Sequence, residues 1–343
     1  MKVSNLLVVK LLVLSFLFLF SQNAMASGGS GEKFEPGEMI LHHIADAHEW
    51  HLFTIPNEHG GQHVTIPLPV ILLTDGQVDV FLSSEFHHHA EVVKGGNTYV
   101  LDDHGHIAEK SGKHPLDLSI TKNVASMLIS AILLLVLMSS VAKGFNKREG
   151  QAPKGIQSFF EPIIVYVRDE IALPNIGEKH YKRFVPYLLT LFFFVWFNNL
   201  LGLIPTGANM SGNIAFTAVL AFLTLIIVNV NGKKDYWAHI FWTPGVPKVM
   251  MIIMLPVELA GIFIKPIALC IRLFANITAG HIIILSLLSF IFVFESFAVG
   301  VPAGAFVIVM MMLELFVALL QAYIFTLLTA LFIGQAVEEH DHH

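Results

Sequence analysis

The sequence has very little cysteine and little charge. Its 343 residues include a single cysteine, Cys270. One cysteine excludes a disulfide framework within the chain and a metal site built from several cysteines. Only 13% of the residues are charged, whereas 55% are hydrophobic and the mean hydropathy is +0.67. This composition indicates a membrane protein with a modest extramembrane part. The net charge of −6 carries no nucleic-acid signature.

Two further absences narrow the class of function. The sequence shows no internal repeat, whereas a secondary transporter usually has corresponding halves with broken helices. No HExxH metal-binding pair lies in an apolar segment, and His281 is the one histidine clearly inside such a segment. A secondary ion transporter therefore stays only as the alternative function, and a membrane metalloenzyme is disfavoured.

The N-terminal third differs from the rest. Residues 1–26 are predicted to be a cleavable signal peptide, with Lys2 before an apolar run and a small-x-small pattern ending at Ala26. Residues 27–119 hold twelve of the 18 histidines, and runs such as VTIPLPVILL and QVDVFL predict a small β-containing periplasmic region. The histidines have three interpretations: a metal site, a titratable shell at a channel mouth, or a solvated surface. The metal ligands would be His48, Glu49 and His51, or the histidines at 87–89.

Five apolar segments of spanning length follow in a membrane domain of residues 120–343. They are predicted at about residues 125–141, 185–204, 213–230, 249–290 and 305–334. The loops assigned to the cytoplasm hold eleven Lys and Arg residues, and the loops assigned outside hold none, as the positive-inside rule requires. The predicted fold is an all-α polytopic protein of the bacterial inner membrane, with a periplasmic mature N-terminus and a cytoplasmic C-terminus. The segment at 155–172 suits a helix on the membrane surface.

The fourth apolar segment carries charges that are costly in a bilayer. An ionised side chain at the bilayer centre costs about 2.5 to 3.5 kcal/mol on insertion scales, so its presence indicates function. On a helix, Lys265 lies within about 20° of Arg272. Glu258 and Asn276 lie within about 40° of the same direction, which predicts one polar stripe. His281 lies about 180° from Arg272 and is expected to face a different partner.

The length of this segment and the last apolar segment add two predictions. A helix from Met250 to Phe290 is about 60 Å long, about twice the hydrocarbon thickness. It is therefore expected either to break at Pro256 or Pro266 or to lie steeply tilted. In the last segment, Glu314 and Gln321 lie within about 20° of each other and form a second polar stripe.

These residues carry a resemblance to a known family. The run KPIALCIRLFANITAGH at 265–281 and the later run LELFVALLQAYIFTLLTALFIGQA at 313–336 resemble the two signature helices of subunit a of the rotary ATP synthase. The resemblance covers roughly residues 124–337. The family's invariant arginine, in the context R-L-F-x-N, corresponds to Arg272.

The resemblance implies a proton-translocating stator that is not an enzyme on its own and needs no cofactor. Its implied partners are a ring of c subunits with membrane-buried carboxylates, the b subunit stalk, the rest of the complex and membrane lipids. Arg272 would pair transiently with a ring carboxylate and separate two aqueous half-channels. Asn276 matches the asparagine one turn beyond the arginine, and Gln321 would lie near Arg272 and orient it. For Gln321, a hydrogen bond between helices without a transport role is the alternative.

The same resemblance assigns four more residues to the proton path. His281 and Glu314 match two half-channel positions that some relatives fill with the two residue types exchanged, which implies that they are neighbours on the outer side. Glu258 matches an acidic pathway position, and Lys265 matches a basic position. The alternatives are a buried pair that satisfies only itself for His281 and Glu314, and packing for Glu258 and Lys265.

Overall fold

The computed structural model divides the chain into two compact units. It describes residues 37, 40, 44–55, 62–89, 91–102, 105–113, 115–148, 150–204, 207–242, 248–294 and 296–338. One unit comprises residues 1–125 with 288–303, and the other comprises residues 126–287 with 304–343. The predicted signal peptide lies outside the described residues.

The N-terminal unit is built from short antiparallel strands, which confirms the predicted β-containing region. Its strands are β1 (Glu49–Ile55), β2 (Gln62–Pro67), β3 (Pro69–Thr74), β4 (Gln77–Leu82), β5 (Val92–Lys94), β6 (Asn97–Leu101), β7 (Ile107–Glu109) and β8 (Leu116–Asp117). They pair in the orders β1-β2, β4-β3-β8 and β5-β6-β7. The β3–β4 hairpin turns at Asp75 and Gly76, which both have positive φ, as a two-residue turn between right-twisted strands requires.

The core of this unit follows from alternation along the strands. Val70 and Leu72 on β3, with Phe81 on β4, point to one side of their sheet and pack with Tyr99 of β6. The Tyr99 hydroxyl donates to the buried carboxylate of Asp79 at 2.7 Å. This bond satisfies a polar group that would otherwise be costly to bury.

The membrane unit is helical, as predicted. Its helices are α1 (Lys122–Lys147, beginning in the first unit), α2 (Ile156–Tyr166), α3 (Leu173–Ile176), α4 (Tyr181–Gly202), α5 (Ile214–Val230), α6 (Lys234–Phe241), α7 (Lys248–Phe294) and α8 (Phe297–Val337). In the described part of the chain, four helices are long and apolar enough to cross a membrane: α1, α4 and the long helices α7 and α8. A fifth pass results if α5 and α6, bent by 102°, are counted as one broken span.

Two features of the long helices α7 and α8 differ from the sequence prediction. The alternative in which α7 breaks at Pro256 or Pro266 is wrong, because one helix of 47 residues includes both prolines. The last helix begins at Phe297 rather than near residue 305 and includes Pro302. Apolar surroundings explain both results, because a helix satisfies its own backbone polar groups where water is scarce, and membrane helices tolerate the bond lost at proline.

The segment after α1 that is predicted to lie on the membrane surface forms a helix interrupted by a π-helical stretch. α2 continues into a π-helical stretch at Val167–Ala172 and then into α3. The end of this segment approaches α8 closely, because a Cβ atom added to Gly334 would collide with the backbone carbonyl oxygen of Asn175. A glycine at 334 is therefore needed for this packing.

Two buried amides join the spanning helices. Asn198 accepts a hydrogen bond from Ser130 of α1 at 3.0 Å. Asn199 donates to the carbonyl oxygen of Ala318 on α8 at 3.1 Å and accepts from Ser211 at 2.5 Å. Polar groups in apolar surroundings need such partners, and these bonds fix α4 against its neighbours.

Candidate functional site

The central part of the polar stripe of α7, at Arg272 and Asn276, lies on the side of the helix that points away from the rest of the unit. Leu269, Leu273 and Ile277 are buried, whereas Arg272 and Asn276 are exposed. This division has helical periodicity: one face of α7 packs inward and the face with the guanidinium stays uncovered.

Small side chains accompany Arg272 on the uncovered face. Ala268, Ala275 and Ala279 are all exposed and recur at the spacing of one helical stripe. Within the described residues Arg272 makes neither a hydrogen bond nor an ion pair, with Glu258 or with any other side chain. A charged group flanked by alanines allows another helix to approach closely.

Helix α8 faces α7 with buried polar groups. Glu314 and Gln321 are both buried, and they lie on the same side of α8, as their spacing predicts. Glu314 Oε1 lies 2.9 Å from His281 Nδ1, so the expectation that these two residues are neighbours is confirmed. The second carboxylate oxygen, Oε2, is buried and has no hydrogen-bond partner among the described residues.

Gly280 provides the space for this carboxylate. A Cβ atom at residue 280 would lie 3.0 Å from Glu314 Oε1 and 3.1 Å from Glu314 Cδ. These distances are shorter than normal van der Waals contact, so even an alanine would press on the carboxylate. The sequence interpretation missed Gly280, although its position directly before His281 was a usable signal.

The other end of the stripe opens into a polar cavity. Lys265 Nζ donates to Gln335 Oε1 of α8 at 2.8 Å and lies 5.4 Å from the centre of the Phe332 ring. Lys265 and half-buried Glu258 line a cavity of about 330 Å³, which is large enough for several water molecules. The remaining polar lining comes from α6 and the end of α8: Asp235, Tyr236, His239, Gln335 and Glu338.

Sequence reasoning missed most of this lining. Asp235 and His239 lie on α6, a short helix outside the predicted spans, and Gln335 lies 70 residues from its partner Lys265. The one available signal was the polar residue Gln335, directly after the last predicted segment and within the run that carries the resemblance. Pairing between residues so distant in sequence depends on the tertiary fold.

Of the two predicted sets of metal ligands, His48, Glu49 and His51 are not gathered into a site, and the side chains of the histidines at 87–89 lie outside the described ones. His48 Nε2 lies 2.7 Å from Asp117 Oδ2. Among the described residues, no three histidine, cysteine or acidic side chains are close enough to hold a metal ion. Buried Cys270 lies 3.4 Å from the Thr217 hydroxyl, in agreement with a packing role.

Two family models match the chain in consecutive parts. Residues 124–334 match the model described as ATP synthase A chain, and residues 39–126 match a domain of unknown function (DUF8433). The first match covers the membrane helices with both polar stripes. The second covers the β-containing region and ends at the first turns of α1.

Similar proteins agree with the first match. ATP synthase subunit a of Chloroherpeton thalassium is 46% identical over 66% of this chain and 69% of the relative. ATP synthase subunit a of Anaeromyxobacter sp. (strain Fw109-5) is 39% identical over 94% of this chain and 76% of the relative. The matches give no support to a secondary transporter.

These matches also fit a multi-pass protein of the bacterial inner membrane and membership of an ATP synthase complex. The residues that carry the resemblance, on α7 and α8, lie inside the matched range except for Gln335 and Ala336. The chain therefore belongs to the ATP synthase A chain family, as the proton-translocating stator subunit of the rotary ATP synthase, which forms a channel and is not itself catalytic.

Proposed function

We propose that Arg272 is the residue of this stator that meets the carboxylates of a rotating ring of c subunits. The observation that carries this proposal is its placement on the uncovered, alanine-lined face of α7, without a partner among the described residues. Arginine keeps its proton at any physiological pH, so it can attract a carboxylate but cannot relay a proton. The ring carboxylate therefore releases its proton near Arg272 and regains one after passing it.

The pair of His281 and Glu314 forms the outer half-channel relay. Both groups can gain and lose a proton, and their direct contact lets a proton move between them without bulk water. The unpartnered Glu314 Oε2 gives the carboxylate a second site at which a proton or a water molecule can be received.

The cavity beside Glu258 and Lys265 is the cytoplasmic half-channel. Its volume and its polar lining support a hydrated path from the inner surface into α7. Arg272 lies between this cavity and His281 in the sequence of α7, so a proton crossing the membrane has to be carried past it by the ring. Asn276 and Gln321 are proposed to orient the guanidinium once a ring carboxylate pairs with it, since neither amide bonds to Arg272 in the described structure.

The orientation we propose puts the mature N-terminus in the periplasm and the C-terminus in the cytoplasm. The distribution of Lys and Arg supports this orientation. Residues 288–303, which include the end of α7 and the start of α8, belong to the same compact unit as the N-terminal region, as expected if both lie on the periplasmic side. The b subunit stalk and lipids are the other proposed neighbours of the helices.

The test is ATP-driven acidification of inverted membrane vesicles that contain Arg272→Ala, with ATP hydrolysis and subunit content measured in the same samples. We expect proton pumping to vanish while the complex still assembles. The matched control is Arg168→Ala, because Arg168 is also exposed but pairs with Asp169 outside the stripe. Pumping that persists in Arg272→Ala, or is lost equally in the control, would remove Arg272 from the central role.

A further inference from the structure

The sheet β4-β3-β8 of the N-terminal unit has two different faces. One face carries Val70, Leu72 and Phe81 and packs on the core. The opposite face is also apolar although it is uncovered. We call it the aliphatic face and define it by its exposed residues: Val78, Val80, Leu82, Leu116 and Leu118.

The pairing of the strands makes this face continuous. Val78 is opposite Leu73, which is opposite Leu116, so the three side chains form one row across the sheet. Val80 is opposite Ile71, whose carbonyl oxygen accepts from the Leu118 amide at 2.9 Å, which extends a second row. Every position in these rows is aliphatic.

Such a face is unusual for a sheet in water. An antiparallel sheet with one face in solvent normally alternates hydrophobic-in and polar-out, and this sheet does not. Val78 and Val80 are 61% and 60% exposed, and Leu116 and Leu118 are 58% and 56% exposed. A contiguous exposed apolar surface marks an interaction site.

The residue types favour lipid over protein as the occupant. Protein interfaces are enriched in Tyr, Trp, Arg and Met, and their energetic centres are mostly Trp, Tyr and Arg. The aliphatic face has none of these and no charged group, and its side chains resemble the hydrocarbon they would meet.

Hydrogen bonds tie this part of the chain to the start of a candidate membrane span. The Ile120 amide donates to the Pro69 carbonyl oxygen of β3 at 3.0 Å, and the Lys122 amide donates to the Ala47 carbonyl oxygen at 2.8 Å. Lys122 is the first residue of α1, which exposes apolar side chains such as Ile132 to the lipid. Two residues of extended chain reach about 7 Å. Ile120, which bonds to β3, therefore lies within about 7 Å of the first residue of α1, a distance no greater than the depth of the headgroup region.

We propose that the aliphatic face rests on the phospholipid bilayer beside α1 and holds the N-terminal domain against the membrane surface. The side chains enter the headgroup boundary and not the hydrocarbon core, because the open edge of β4 needs water or headgroups for its backbone polar groups. The proposal is independent of how protons pass through the helices.

The experiment uses the whole ATP synthase in vesicles of phosphatidylethanolamine and phosphatidylglycerol. A benzophenone amino acid replaces Val80 or, in a second variant, Leu118. The matched control replaces Gln77, which is exposed on the same strand but belongs to the opposite face. ATP-driven pumping shows which variants are assembled, and mass spectrometry after illumination identifies the adducts.

We expect phospholipid adducts at Val80 and Leu118 to exceed those at Gln77 at least tenfold. A cross-link from Val80 and Leu118 to another polypeptide would overturn the proposal in favour of a protein partner. Lipid adducts no more abundant than at Gln77 would overturn it in favour of an uncovered surface. Because two positions are probed, failure of one variant to assemble leaves the other to decide.

Discussion

Two histidine–carboxylate pairs of nearly the same geometry lie in different regions of the molecule. In the N-terminal unit His48 lies 2.7 Å from Asp117, and in the membrane unit His281 lies 2.9 Å from Glu314. Both histidine side chains are 13% exposed, but the carboxylates differ: Asp117 is 36% exposed and Glu314 only 4%.

The partners of the two carboxylates differ even more than their exposure. Burial opposes the ionisation of Asp117, yet hydrogen bonds from His48 and Ser119 outweigh it and lower its pKa to about 2. Asp117 therefore stays a carboxylate throughout the physiological range. Glu314 has one partner and one buried oxygen without a partner in the described structure. We infer from this difference that full satisfaction would make such a pair structural, whereas partial satisfaction would leave a group able to exchange a proton.

The change with the largest expected effect is Glu314→Gln. Glutamine can still accept a hydrogen bond from His281 but cannot carry a proton. We expect pumping to fall about 10²-fold, the scale of a lost proton-transfer group, with little change in assembly. ATP-driven acidification of inverted vesicles measures the effect. Wild-type pumping by Glu314→Gln would show that this pair is structural, like the pair in the N-terminal unit. The two pairs would then not differ in function.

The next change substitutes neither residue of the His281–Glu314 pair. Gly280→Ala puts a methyl group against the Glu314 carboxylate and forces it from its position. Overpacking costs about 1 to 3 kcal/mol, so we expect about a tenfold loss of pumping. The matched control is Gly261→Ala on the same helix, where no atom lies within 4 Å of the added Cβ. Equal activity of the two variants would show that the carboxylate position does not matter.

A third carboxylate tests the effect of water. Glu258 lines the cavity of about 330 Å³, where ordered water can replace a lost polar group. Glu258→Gln should therefore lower pumping only about threefold, in the same assay. A loss as large as that of Glu314→Gln would show that the carboxylate itself carries the protons on this side.

The smallest effect is expected for Asp117→Asn. The folded-state pKa of about 2 lies below the ordinary value of 3.8, so ionised Asp117 stabilises the fold above about pH 4 and this stabilisation is lost as the pH falls towards 2. Allowing for solvent screening, we expect a loss of about 1 kcal/mol at pH 7.

Hydrogen exchange of β3 and β8 in the full-length chain measures this loss. Exchange should be about fivefold faster in Asp117→Asn at pH 7, with the difference shrinking at pH 3. Pumping should be unchanged at pH 7. A difference that grows on acidification would contradict the assigned sign.

The sequence predicted those parts of the fold that depend on local pattern. Helical periodicity, together with the cost of an ionised side chain in a bilayer, predicted Arg272 and Asn276 on one side of α7. The structure leaves both residues exposed on that side. The same angles put His281 on a different side, where it meets Glu314. Local pattern is sufficient here because a spanning helix must satisfy its own backbone, so its side-chain directions follow from the spacing alone.

What the sequence did not predict depends on contacts between distant elements. The Lys265–Gln335 bond joins residues 70 positions apart, and the space at Gly280 has meaning only once Glu314 lies against it. The predicted segments place an outer turn at residues 295–304, but in the structure α8 begins at Phe297 and continues through Pro302. The transport roles of the seven predicted residues stay predictions until the variants are measured.

The bond from Asn199 to Ala318 has a consequence for biosynthesis. The two residues are 119 positions apart, so α4 is made and inserted long before its partner exists. Until α8 arrives, the Asn199 amide lacks this acceptor in an apolar environment, a deficit of about 1 to 3 kcal/mol. A nascent chain that ends before α8 therefore keeps an unsatisfied amide in α4, its second spanning helix. Quality control that senses exposed polar groups in the membrane can recognise such a chain.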